Sequence, residues 1–273
     1  MAAVVVNAPV VERQTLSGDC FLLRLGAPEV ARQVSPGQFV MLRLARHSPV
    51  LLSRPLSVSD VGGRGESPEW LDLLIQVRRE GTQVLADLAP GEEVQVTGPL
   101  GFGFTVVAGA TAHVCIGGGV GVAPFPLLVR AIRRHDEATP TYCLVGGPNA
   151  DRLLLIEGLS ALGARVLTAT EDGSAGLRGT VIDLLPQVEK EVGLLGRVAF
   201  YVAGPVGLLE KCAQAAKERG ARCQLSMEAR MGCGTGLCQG CVVKVRNPGG
   251  EGWHYRRVCY EGPVMWAEDV IFG

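Results

Sequence analysis

Over the first hundred residues the apolar positions come in short runs, at 21–25, 38–44, 70–77 and 93–97, each rich in Val, Leu or Ile. Turn signals at Pro36-Gly37, Gly62-Gly63 and Pro90-Gly91 separate them. Closely spaced strands with such punctuation predict a small barrel or sandwich. Past Gly103 the rhythm changes. Apolar strands at 113–116, 142–145, 165–169 and 198–202 alternate with helical stretches such as 125–134 and 208–219, which predicts a doubly wound parallel sheet. From about Gln224 a cysteine-rich loop follows, then a strand at 242–245 and a polar hairpin around Asn247-Pro-Gly-Gly250. The expected architecture is multidomain, β followed by α/β, divided at 1–105, 106–223 and 224–273.

Charge adds mainly exclusions. Lys and Arg total 26 against 27 Asp and Glu, without a basic tail or stripe, so nucleic acid is not an expected partner. The most apolar stretch, 113–132, is broken by glycines, two prolines and Arg130, so no membrane span is expected. The opening Met-Ala-Ala-Val-Val-Val-Asn lacks the charged head and long apolar core of a signal peptide, and the reducing cytoplasm is the expected setting. Five of the nine cysteines, Cys20, Cys115, Cys143, Cys212 and Cys223, lie in apolar strand or helix patterns and read as packing residues.

The other four, Cys233, Cys238, Cys241 and Cys259, form a C-x4-C-x2-C-x17-C array, the spacing that wraps a plant-type 2Fe-2S cluster. Three thiolates within nine residues concentrate negative charge, and the loop must bend so that backbone N–H groups face sulfur. Gly232, Gly234, Gly236 and Gly240 give it that freedom. A four-cysteine zinc site is the competing reading, but zinc loops more often pair two C-x2-C knuckles.

Two further motifs suit phosphate. Gly117-Gly-Gly-Val-Gly-Val-Ala-Pro124 lies between a strand and a helix, where bare backbone can approach a pyrophosphate; a plain tight turn is the alternative. Arg54-Pro-Leu-Ser57 offers a guanidinium fork and, two residues on, a hydroxyl pointing the same way, with Gly81 and Thr82 as further donors. Thr170-Glu-Asp-Gly-Ser174 and Ala203-Gly-Pro205 each follow a strand, at the sheet edge where nucleotides lie.

These residues resemble the ferredoxin-NADP reductase-like flavoproteins: Arg54-Pro-Leu-Ser57 is similar to the flavin motif, the 117–124 loop to the nucleotide loop and Ala203-Gly-Pro205 to the C-G-P turn. With Glu228-Ala-Arg-Met-Gly-Cys233 and Arg257-Val-Cys-Tyr-Glu-Gly-Pro263 added, the chain resembles the electron-transfer subunit of type B dihydroorotate dehydrogenase. The resemblance implies an antiparallel flavin-binding barrel, with FAD lined by Arg54, Pro55, Leu56, Ser57, Leu74, Ile75, Gln76, Gly81 and Thr82. The nucleotide-loop and C-G-P likenesses imply NAD at Gly117, Gly118, Gly119, Gly121, Ala123, Pro124, Gly204 and Pro205, and the resemblance implies the cluster on Cys233, Cys238, Cys241 and Cys259; Asp172, in the 170–174 turn at the sheet edge, is a further NAD candidate, with a plain acidic turn as the alternative. No side chain need act as acid or base; Ser57 is the candidate hydrogen-bond donor to flavin N5.

The implied partner is an FMN-bearing catalytic subunit, two of each chain forming a heterotetramer. Electrons would run from that FMN through the cluster and FAD to NAD+ in pyrimidine biosynthesis. Two departures stand out. Ala203 replaces a cysteine common in the wider family, and no arginine cluster follows strand 142–145, so NAD is favoured over NADP. The segment 249–254 looks like an extended hairpin and a candidate partner contact. The rivals are an NADH-side diaphorase subunit of another complex and a redox sensor without turnover.

Overall fold

The structure, a computed structural model, describes residues 3–44, 50–65, 67–193 and 195–273. Six strands, β1 (Val4–Ser17), β2 (Cys20–Gly26), β3 (Phe39–Arg43), β4 (Arg54–Gly62), β5 (Trp70–Gln76) and β6 (Glu93–Leu100), close into a barrel in the order β1-β2-β5-β4-β3-β6. Every neighbouring pair is antiparallel. Two short helices, α1 (Pro28–Ala31) and α2 (Glu80–Ala86), interrupt the strands. Period-two alternation decides what each residue does. On β5, Leu71, Leu73 and Ile75 fill the barrel, while Leu74 joins a core shared with the next domain.

The second body is a sheet whose parallel strands β7 (Ala112–Gly118), β8 (Thr141–Gly147), β9 (Arg165–Thr170), β10 (Leu177–Arg178), β11 (Val198–Ala203) and β12 (Arg222–Ser226) run in the order β10-β9-β8-β7-β11-β12, with a seventh strand added later in the chain. Helices α3 (Phe125–His135) and α4 (Ile156–Ala161) contribute to a core that takes in Cys20 and Leu74 of the barrel; α5 (Leu185–Val192) and α6 (Val206–Arg219) contribute to a second core that takes in Phe39, Met41 and Leu100. Burial on both faces explains the unbroken apolar strands of the sequence. After β12 the chain makes the cysteine loop and the hairpin β13 (Val242–Arg246) and β14 (Trp253–Arg257). It then forms α7 (Val258–Glu261) and β15 (Val264–Trp266), which pairs antiparallel with β12.

Bonds from the sheet hold both the barrel and the segment that follows β6. Arg130 on α3 grips Asp60 on β4 through both carboxylate oxygens, at 2.8 and 3.0 Å. Gln224 donates to the Thr105 carbonyl at 2.7 Å and accepts from its N–H at 2.9 Å. The Tyr201 hydroxyl accepts from Val107 N–H and meets the ring of His113, whose burial holds its pKa below the ordinary histidine value. Among the described residues no helix is long and apolar enough to cross a membrane.

Candidate functional site

From β7 the chain steps outward through β8 and β9 to β10, then returns to lay β11 on the other side of β7. The strand order therefore reverses between β7 and β11, and the crevice beyond their carboxyl ends is where such sheets bind ligands. Both sequence-marked loops open there, Gly117 to Pro124 from β7 and Ala203-Gly-Pro205 from β11. They touch at Gly121, where a Cβ would come 2.6 Å from Gly204 Cα.

The crevice has two chambers that share Arg78, Val120, Gly121, Gly204 and Glu228. The first, about 570 Å³, is lined by Pro55, Leu56 and Ser57 of the barrel, Pro124, and the segment from Ser226 to Met231. The second, about 630 Å³, is lined by Gly118, Gly119, Gly146, Gly147, Glu171, Pro205 and Lys211, with Gln76 and Arg152 at its barrel side. Arg54 flanks the first chamber's Pro55-Leu-Ser57 strand and lies over Gly81, where a Cβ would come 2.6 Å from its Nη2.

Several expected residues sit elsewhere. Ile75 points into the barrel and Leu74 and Ala123 are buried in the shared core, so none of these side chains faces a chamber. Gly117 lies beneath Phe125, with no room for a Cβ. Gly81 and Thr82 belong to the first turn of α2, not to an open turn. The Thr82 hydroxyl accepts from Arg78 N–H at 2.9 Å and donates to the Arg79 carbonyl at 2.9 Å, so it caps the helix. The Asp172 carboxylate accepts from the Ser174 N–H and hydroxyl at 2.9 and 2.6 Å, and these bonds lower its pKa. Its neighbour Glu171 lines the second chamber, as does Glu228.

Sequence reasoning left out Arg78, Arg152 and Glu228. Arg78 Nε donates to Gln76 Oε1 at 2.8 Å. Arg152 is bound by Asp19 across the crevice and reaches Cys20 Sγ at 3.4 Å, which commits the one arginine that follows β8 closely. Glu228 touches solvent inside the cleft but is crowded by protein atoms; their desolvation raises its carboxyl pKa, and Arg78 offsets part of this.

The cysteine loop rises from the first chamber's wall. Gly234 presses on the barrel at Met41, and Gly236 on Tyr260; both have positive φ, +74 and +85. Cys238 N–H and Thr235 N–H both donate to Cys233 Sγ at 3.4 Å, and these bonds bring the Cys233 thiol down to about 6. Cys259 N–H donates to Cys241 Sγ at 3.4 Å, while burial, with the Cys241 sulfur alongside, pushes the Cys259 thiol up to about 12. These bonds link the four residues in two pairs, Cys233 with Cys238 and Cys241 with Cys259. Among the described residues no three His, Cys, Asp or Glu side chains close on a single-ion site. Four thiols, with N–H groups on sulfur, fit the donor set of a two-iron cluster.

A barrel bearing the flavin motif, a switch-point crevice and a four-thiol loop define an oxidoreductase with flavin, nicotinamide-nucleotide and iron-sulfur domains. Family models agree: oxidoreductase FAD-binding domain over residues 7–104, oxidoreductase NAD-binding domain over 115–214, and iron-sulfur cluster binding domain of dihydroorotate dehydrogenase B over 228–271. The electron transfer subunit of dihydroorotate dehydrogenase B (NAD(+)) from Caldanaerobacter subterraneus is 36% identical over 237 residues, 87% of each chain. The subunit of that name from Desulforamulus reducens is 32% identical over 98% of each. This chain belongs to the family of dihydroorotate dehydrogenase B electron transfer subunits.

Among solved structures, one described as an NADH-dependent reduced ferredoxin-NADP oxidoreductase, studied for flavin-based electron bifurcation, superposes with a TM-score of 0.81 at 25% identity. It covers 97% of this chain and 89% of its own. A ferredoxin reductase of carbazole 1,9a-dioxygenase, at 20% identity and a TM-score of 0.66 over 81% of this chain and 67% of its own, shares the fold.

Proposed function

We propose that this chain passes electrons from an FMN-bearing subunit that oxidises dihydroorotate to NAD+, in a cytoplasmic heterotetramer with two copies of each chain, as a step of pyrimidine biosynthesis. One observation carries the reading: the segment that walls the first chamber, Ser226 to Met231, runs within two residues into Cys233, so cluster loop and flavin chamber share a wall. Nine unpaired thiols suit the reducing setting.

When bound, FAD exchanges hydride with NAD and single electrons with a 2Fe-2S cluster, which joins a two-electron acceptor to a one-electron carrier. The residues position these groups. Arg54 supplies the fork for the flavin pyrophosphate, held in place because Gly81 leaves room beneath it. Ser57 is the hydroxyl for flavin N5, and Pro55 and Leu56 close the barrel side of its chamber. The bare backbone of Gly118, Gly119 and Gly121 would admit the nucleotide's pyrophosphate, and Lys211 lines the same chamber. Glu171 suits a ribose hydroxyl and repels a 2′-phosphate, and Arg152 is already neutralised by Asp19, which together favour NAD. Cys233, Cys238, Cys241 and Cys259 hold the iron.

The test is orotate formation from dihydroorotate with NAD+ as acceptor, using the chain purified with the catalytic subunit. The two together should turn over and neither alone should. The likeness to the ferredoxin-NADP oxidoreductase structure favours a second reading, an NADH-side subunit of another complex. NADH-driven dye reduction without orotate formation in the pair would select it.

A further inference from the structure

The β13–β14 hairpin has one face turned inward and one left uncovered. Val245 is fully buried and bridges to Val270, and Arg256 pairs with Asp269 at 3.6 Å. The opposite face follows from the register, in which Val242, Lys244 and Arg246 face Arg257, Tyr255 and Trp253. Trp253 and Tyr255 are 50% and 54% exposed, yet their rings meet edge to face at 5.1 Å and the Lys244 ammonium lies 4.7 Å over Trp253. The aromatic stripe is therefore ordered but uncovered. It carries three cations and no carboxylate. Arg257 is paired with Glu261, while Lys244 and Arg246 form no ion pair among the described residues; Glu251, in the turn, is the hairpin's own acid.

The hairpin is rooted in the cysteine loop. β13 starts directly after Cys241, and β14 ends two residues before Cys259. Arg257 donates to the Gly236 carbonyl at 3.1 Å and covers Tyr260 at 4.7 Å, so the stripe continues through Tyr260 and Leu237, 55% and 85% exposed, to the exposed Cys238. Exposed Trp, Tyr and Arg are the residue types that anchor protein interfaces, and cations without acids steer an anionic surface toward them. A protein that docks here is brought to the thiol end of the loop, where electron exchange needs short distances.

We propose that this face is the docking arm for an acidic, partly apolar surface of the electron-donating catalytic subunit. The proposal rests on the reading above that such a subunit is the partner. The experiment compares the cofactor-loaded wild type with Trp253→Ala and with the double variant Lys244→Glu, Arg246→Glu. It measures the Kd for the catalytic subunit at low and high salt, with iron content, the reduced-cluster EPR signal and NADH–dye reduction as controls that should not move. Trp253→Ala should weaken binding about thirtyfold, as an interface anchor does. The charge reversal should weaken it about tenfold at low salt and less at high salt, where screening hides the lost attraction.

If the wild type binds the subunit and both variants bind equally well, the arm is wrong and the functional reading survives. A wild type that does not bind the subunit at all overturns both. Loss of binding to phosphatidylglycerol vesicles, with subunit affinity unchanged, would assign the face to a membrane instead.

Discussion

Cys115 and Cys143 lie side by side on β7 and β8, fully buried, and burial drives the Cys115 thiol far above its ordinary pKa. Burial likewise pushes Cys212 on α6 up to about 12. In the cysteine loop Cys233 behaves oppositely and falls to about 6. The difference comes from the backbone. In a strand or helix each amide N–H is spent on the ladder or the turn below, so a buried thiol meets only apolar neighbours and stays protonated. In a loop bent through left-handed glycines the amides of Thr235 and Cys238 are left to converge on one sulfur, which favours the thiolate that binds metal.

The largest test exchanges one atom at each place. Cys241→Ser should remove the cluster and its visible absorption and abolish dihydroorotate-driven NAD+ reduction. It should leave NADH–dye reduction in place, because flavin and nucleotide chambers are intact. Cys143→Ser should leave iron content and both activities unchanged and cost about 1–3 kcal/mol of stability through its buried hydroxyl, seen as a lower Tm. Gly121→Ala tests the crevice between these regions. Its methyl would meet the Ala203 carbonyl and Gly204, so the KM for NADH should rise about tenfold or more.

A milder test strips the iron and alkylates the folded protein with iodoacetamide across pH. Cys233 should react with a midpoint near 6, and Cys115, Cys212 and Cys223 should stay protected until unfolding. Equal reactivity of both sets would break the comparison.

The smallest effect belongs to Asp19, whose carboxyl the Arg152 guanidinium lowers from 3.8 to about 2. A depressed acid stabilises above its unfolded pKa, so the contribution is complete above about pH 4 and is lost as pH falls toward 2. Asp19→Asn should cost no more than about 1 kcal/mol at neutral pH, measured by denaturant unfolding, because both partners are partly open to solvent.

What was legible in the sequence was local. The cysteine spacing, the glycine loop after an apolar strand and the switch from closely spaced strands to a strand–helix rhythm each follow from a few adjacent residues, and the structure bears out the switch and sets the glycine loop between β7 and α3. What was not legible depended on long-range placement or on turn detail. Glu171 rather than Asp172 faces the chamber because Asp172 spends its carboxylate on Ser174. Thr82 caps a helix that its flanking glycine obscured. Arg78 continues the alternation of Leu74 and Gln76 beyond β5, a signal present in the sequence. Glu228 opens a motif that carries the family resemblance, but no local rule put it in a cleft, since its chamber is assembled from the barrel, β7, β11 and the segment after β12.

The central claim is that the loop thiols hold two irons against the flavin chamber. Its most direct test is anaerobic titration of the purified chain with NADH, followed by visible absorption and low-temperature EPR, with iron and flavin analysis of the same sample. The account predicts iron at twice the amount of FAD and a cluster EPR signal that grows as NADH is added. Zinc in place of iron, or a flavin that bleaches while the cluster stays oxidised and silent, would contradict it.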